Sequence, residues 1–185
     1  MVSLEALAEL TTDAFGPTAV HTMRGDRALL RGSHAEACRE FLLLAEEPYA
    51  DFLLQRAMRA ALWGGDIATA REIADRLEAL PSPASNTSAA RVAARAGIAA
   101  LEGRPDEALE GYRDALSRHR AMGRAFEVAC TDLDLVVLIR GNEPATREAA
   151  TEARAIFERV GARPYLERLE AATGKPTASL PTVHA

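Results

Sequence analysis

Apolar residues fall at Ala108, Leu109, Tyr112, Ala115 and Leu116, the stripe spacing of an amphipathic helix. Gly103 closes the helix before it, and Pro105 stands at a first helical position, where its missing N–H costs nothing. Asp106 and Glu107 put negative charge in the first turn, where the helix dipole favours it. The same grammar recurs along the chain. Leu4, Leu7, Ala8 and Leu10 predict a short helix over 2–14, broken by Gly16 and Pro17. A second helix runs from about Pro17 to Leu30, weakened by Gly25 and ended by Gly32. Ser33 and Glu36 match a capping box before a third helix that carries Ala37, Cys38, Phe41, Leu42 and Ala45 and stops at Pro48.

A fourth helix, Tyr49 to Trp63, shows Leu53, Leu54, Ala57, Met58 and Ala61 on one face and ends at Gly64 and Gly65. Asp66 is a good N-cap for a fifth helix bearing Ala70, Ile73, Ala74 and Leu77. Residues 81–86, Pro-Ser-Pro-Ala-Ser-Asn, read as a loop. A sixth helix reaches Glu102, and the seventh, from Pro105, is closed by Gly123. The run Leu135-Val136-Val137-Leu138-Ile139 has strand propensity. A lone strand among helices has no partner, so 124–140 is predicted to be a buried helix ending at Gly141. Pro144 opens the next, with Ala149, Ala153, Ile156, Phe157 and Val160 inward, and Gly161 ends it. A last helix follows from Pro164 through Leu169, and 173–185 is predicted to be a frayed tail.

The glycines that end alternate helices, Gly32, Gly65, Gly103 and Gly141, are spaced by 33, 38 and 38 residues. Five positions on stand Ala37, Ala70 and Ala108, with Thr146 departing from the pattern; nine positions on stand Phe41, Ala74 and Tyr112. A small residue there lets the second helix of a pair lie close against the first. This period and spacing resemble the tetratricopeptide repeat. The resemblance implies an all-α fold, with tetratricopeptide-like antiparallel helix pairs stacked in a right-handed superhelix, an α-solenoid. Residues 1–172 would form that single repeat domain. The alternative is a non-repeating helical bundle.

Residues 155–169, from Ala155-Ile156-Phe157-Glu158-Arg159-Val160-Gly161 to Leu166-Glu167-Arg168-Leu169, are similar to the closing segment of large bacterial signalling proteins. Those proteins join a nucleotide-cyclase or LuxR-type DNA-binding domain to a P-loop ATPase and a tetratricopeptide-like C-terminal region. The similarity spans roughly residues 50 to 172. It implies a regulatory repeat region, either a fragment or a free-standing relative, whose partner is another protein or the ATPase or cyclase part of a larger one.

Composition supports the helical reading and narrows the function. The chain has 185 residues, 39 of them alanine, with 5% aromatics. A net charge of -5 argues against a general nucleic-acid binder. Cys38 and Cys130 stand in apolar helical surroundings without a CxxC neighbour, which favours buried thiols over a disulfide or a metal site. With no basic n-region before an apolar core and no apolar run of about 20 residues, a cytoplasmic protein is expected.

Chemistry is sparse. Gly174-Lys175-Pro176-Thr177 lacks the upstream glycine, strand and helix of a P-loop. His21, His34, His119 and His184 form no i, i+4 pair. Asp132 and Asp134, two apart, point to different sides of a helix and are expected to be solvated or salt-bridged. The basic run Arg113, Arg118, His119, Arg120 and Arg124 suits a helix C-terminus. No catalytic constellation, metal site or cofactor is expected. In a tetratricopeptide array the first helix of each pair lines the concave surface. That places Gln55, Arg56, Arg59, Arg91 and Arg95 in a groove fit for an acidic segment or a ligand anion. The competing expectation is that these arginines pair internally, with carboxylates such as Glu72, Asp75 and Glu110. A non-enzymatic protein-interaction module is therefore expected, with a small-effector sensor using the same groove as the alternative.

Overall fold

The computed structural model describes residues 15–45, 50–81, 85–139 and 144–174, with side chains placed from 18 and from 87 in the first and third of these segments. The described residues are all helix, turn and short connection, with no strand among them. The expected helix over 2–14, the stop at Pro48, the turn at Gly141 and the tail beyond 174 lie outside them.

Among the described residues nine helices follow in order: α1 Phe15–Leu30, α2 His34–Leu42, α3 Ala50–Gly64, α4 Ile67–Ala79, α5 Ser85–Leu101, α6 Pro105–Ala121, α7 Ala125–Leu138, α8 Pro144–Val160 and α9 Arg163–Thr173. The 81–86 loop is thus shorter than expected, since Ser85 and Asn86 already belong to α5.

The glycine turns repeat in detail. At Gly32, Gly65 and Gly103 the backbone is left-handed, a conformation that suits glycine because it has no Cβ. The residue after each glycine donates its N–H to the carbonyl five positions back: Ser33 to Ala28, Asp66 to Ala61 and Arg104 to Ala99. This is a Schellman closure, which satisfies the orphan carbonyls of the ending helix. Gly123 and Gly161 make the same turn between successive pairs.

The closure also explains why the capping box at Ser33 fails. The box needs the Ser33 N–H free to meet Glu36, but Ala28 already holds that N–H at 2.9 Å. The Ser33 side chain makes no capping bond. Asp66 needs only its carboxylate, and it does cap: it accepts from the Thr69 N–H at 3.0 Å.

Each helix packs on the next in sequence, and a second set of contacts joins the odd-numbered helices. α5 touches α3 and α7, α9 touches α7, α3 also reaches α7, and α9 reaches α1. The even helices make their main contacts with their sequence neighbours alone. The odd helices therefore form an inner layer and the even helices an outer one. The inner layer curls until its first and last described members meet.

Ala37, Ala70 and Ala108 are fully buried, as their place in the pattern requires, and Thr146 is buried at the fourth equivalent position. α5 lies close on α6, where a Cβ on Gly111 would stand 2.8 Å from the Ala96 Cβ. α7 is central: every residue from Val128 to Val136 is buried. A helix covered on all sides can be apolar on all sides, which accounts for the strand-like Leu135–Ile139 run. Tyr112, Phe41, Phe157, Leu133 and Leu169 are among the largest fully buried side chains.

Candidate functional site

The inner face of α3 presents Phe52, Gln55, Arg56, Arg59 and Trp63, spaced at three, four and seven residues and so along one side of the helix. α7 meets it with Glu127, Thr131 and Asp134. Arg59 Nε donates to Asp134 Oδ1 at 2.8 Å and to Oδ2 at 3.0 Å, and Trp63 Nε1 donates to Oδ1 at 2.9 Å. Burial pushes the Asp134 carboxyl above its ordinary value, against the opposing pull of Arg59 and of the two donors. Asp134 in turn holds the buried Arg59 firmly in its charged form. The pair is a charged strut between two helices that lie far apart in sequence.

Around that strut the structure leaves polar groups unmatched. A cavity of about 30 Å³ opens between α3, α5 and α7. Gln55, Arg59, His119, Glu127, Thr131 and Asp134 supply its polar lining, and Met58, Leu62, Leu77, Ala90, Ala93 and Ala94 its apolar walls. The Gln55 Nε2 and the His119 Nδ1 are buried with no hydrogen-bond partner among the described residues. His119 is 3% exposed. Burial lowers its pKa most, Glu127 pulling the other way, so the imidazole is neutral at pH 7.

On the other side of Arg59, Arg56 donates to Asp26 of α1 at 2.6 Å and stacks over Phe52 at 4.4 Å from the ring centre. Phe126 of α7 meets Tyr165 of α9 edge-on at 5.5 Å and Phe157 at 6.0 Å. Arg168 of α9 lies over the Trp63 ring at 5.0 Å. Five large apolar side chains are exposed among the described residues: Met23, Leu43, Phe52, Phe126 and Val160. Three of them, Met23, Phe52 and Phe126, stand on the inner helices α1, α3 and α7. Leu43 and Val160 sit at the ends of outer helices.

No family model, curated protein or solved structure matches this chain.

Four of the five residues assigned to a groove are bonded within the chain. Gln55, Arg56 and Arg59 share the inner face of α3, but Arg56 and Arg59 are bonded to Asp26 and Asp134. Arg91 caps the C-terminus of α4, donating to Leu77 O at 2.9 Å, Glu78 O at 3.3 Å and Leu80 O at 2.8 Å, where carbonyls have no helical partner. Arg95 pairs with Glu78 on an exposed surface. Internal pairing is the rule, with Asp26, Asp134 and Glu78 in place of the carboxylates expected.

Asp132 and Asp134 are both buried, and neither is solvated. Asp134 is ion-paired, whereas Asp132 keeps one carboxylate oxygen unpartnered. Burial chiefly, aided by Glu152 and opposed by Arg120, pushes the Asp132 carboxyl up to about 8. The basic run on α6 is dispersed: Arg118 pairs with Asp114 at 2.8 Å, Arg120 reaches Glu152, and His119 turns inward. Cys38 and Cys130 are buried free thiols, raised to about 11 and about 12 by burial. The described residues contain no group of three or more His, Cys, Asp and Glu placed to hold a metal. None of the described helices is long and apolar enough to cross a membrane.

His119, Glu127, Thr131 and Asp134 are polar lining residues outside the groove set expected from the sequence. His119 sits in a basic run that reads as dipole compensation, and only the tertiary packing turns it inward.

Proposed function

We propose that this chain is a non-enzymatic interaction module of tetratricopeptide-like architecture whose inner helices receive a segment of a protein partner. The observation that carries the reading is the exposure of Met23, Phe52 and Phe126 on inner helices, beside Arg56 and Tyr165. Apolar side chains left open on one layer, mixed with aromatics and arginine, have the composition of an interface core. The similarity of residues 155–169 to bacterial signalling proteins suits a cytoplasmic role in signal transduction or transcription regulation. The partner is then a separate protein or the ATPase or cyclase part of a larger one.

The test is affinity capture followed by calorimetry with the protein so identified, using wild type and Met23→Ser with Phe52→Ser. Both positions are exposed, so the helical circular dichroism spectrum is expected to persist. The double variant is expected to bind at least about tenfold more weakly. Equal affinity for wild type and variant refutes the reading.

A further inference from the structure

α9 lies where a partner segment would have to lie. It follows α8 after Gly161 and Ala162 alone, and it touches α1 and α7 as well as α8. Arg168 reaches across to α3 and lies over the Trp63 ring at 5.0 Å. Tyr165 stacks on Phe157 at 5.2 Å and meets Phe126 edge-on at 5.5 Å. Burial pushes the Tyr165 hydroxyl up to about 12, and Cys130, Arg59, Asp26 and Arg56 are all near enough to act on it. α9 thus covers part of the inner face that α1, α3 and α7 build.

Its hold on that face is slight. α3 and α7 bury nine residues each, whereas α9 buries two, Leu169 and Glu170. Glu170 bonds to Arg154 at 2.9 Å, which ties α9 to α8, its neighbour in sequence. Tyr165 and Leu166 are only partly buried. Arg168 is half-buried, and no carboxylate among the described residues offsets the cost of that burial. Its stacking on Trp63 recovers part of the cost. Elements with few buried apolar groups open locally before the whole molecule unfolds.

The cover is also incomplete. Phe126, which touches Tyr165, Phe52, which lies under Arg56, and Met23 of α1 stay exposed on the helices of that layer. The apolar strip is wider than the helix that covers it. A longer amphipathic helix in the same place would bury more area.

We propose that α9 is an intramolecular latch. It occupies the inner face over Trp63 in the absence of the partner, and it turns away about Gly161 and Ala162 when an amphipathic helix of the partner takes its place. Gly161 holds a left-handed backbone at that joint, and short joints at element ends are where hinge motions concentrate. This rests on the interaction-module reading and adds its regulation. Only molecules with the latch open bind, so closure weakens the apparent affinity.

The test is native-state hydrogen exchange of the whole chain, read by NMR, together with fluorescence of Trp63, the single tryptophan. In the wild type the amides from Leu166 to Thr173 are expected to open as one unit and to exchange at least about 100-fold faster than those of Leu133 to Val136 in α7. Leu169→Ala is expected to speed exchange in α9 further, to leave the protection of α7 unchanged and to open Trp63 to quenching by acrylamide. Against the partner captured in the interaction test, Leu169→Ala is expected to bind about tenfold more tightly than wild type, because its latch is open more of the time.

Unfolding of the whole chain by Leu169→Ala, or an equal fall of protection in α7 and α9, overturns the proposal, because α9 is then part of the cooperative core. So does exchange that is graded inward from Thr173 and leaves Leu166 as protected as α8, which is end fraying. Unchanged quenching of Trp63, or partner affinity that stays equal or falls, overturns it as well. The two readings fail separately. Exchange and quenching are measured without a partner and decide the latch, whereas equal affinity for wild type and Met23→Ser with Phe52→Ser overturns the interaction module.

Discussion

Arg59 and Arg95 occupy similar places in the helical pattern: each stands on the first helix of a pair, in neighbouring pairs. Their surroundings differ completely. At the α3–α7 crossing Arg59 is almost covered, and its carboxylate partner is shared with an indole N–H. At the α4–α5 crossing Arg95 and Glu78 face water, with side chains about half to two-thirds exposed. The difference comes from closure. α3 meets α7 across the inner layer and covers Arg59 between them, whereas no described helix covers Arg95 and Glu78. Local pattern selects the face of a helix; what covers that face depends on elements far away in sequence.

The largest way to break this comparison is to remove one partner of the sealed pair. Asp134→Ala leaves Arg59 buried without a counter-charge, and the expected loss is about 3–5 kcal/mol by urea denaturation. A loss below about 1 kcal/mol would mean that the α3–α7 crossing opens to water, and the contrast with Arg95 would vanish.

Asp132 sharpens the contrast within α7 itself, since it is as buried as Asp134 but has no cationic partner within hydrogen-bond reach among the described residues. Its folded-state value of about 8 lies above its unfolded value. Between the two, the native protein holds a proton that the unfolded chain has released. Stability therefore falls as pH rises through that window, and the loss is complete above about 8. Asp132→Asn cannot ionise. Thermal melts from pH 5.5 to 8.5 are expected to show wild-type stability declining relative to the variant by up to about 1.4 kcal/mol per pH unit. Parallel profiles would place that carboxyl in contact with water or a cation.

The smallest expected effect is at Arg95. Arg95→Ala removes an exposed pair and is expected to change stability by less than about 0.5 kcal/mol. A change beyond about 2 kcal/mol would make the α4–α5 surface as integral as the α3–α7 crossing.

The residues show how much was legible in the sequence. Ala37, Ala70 and Ala108 could be placed because a short glycine-to-alanine spacing is local information, and each is fully buried. The helical state of 125–138 followed from the lack of a strand partner. The capping box at Ser33 misled because two local motifs compete for one N–H, and the glycine turn wins. Arg59 reads either as a groove residue or as an internally paired one, and the carboxylate it pairs with lies 75 residues away. No periodicity carries that pairing. Asp132 and Asp134 read as solvated or salt-bridged; Asp134 is salt-bridged, whereas the burial of Asp132 depends on the packing around residues 128–136, which no local pattern carries.

The meeting of α1 and α9 has a consequence for how this architecture can vary. In a linear array each unit touches only its neighbours, so units can be gained or lost at either end with a graded change in stability. Here the first and last described helices touch, and Arg168 of α9 lies over Trp63, which itself holds Asp134. Deleting a helix pair would change the curvature at every remaining junction and pull that contact apart. A change at one junction among the described helices is therefore borne by the α1–α9 contact as well.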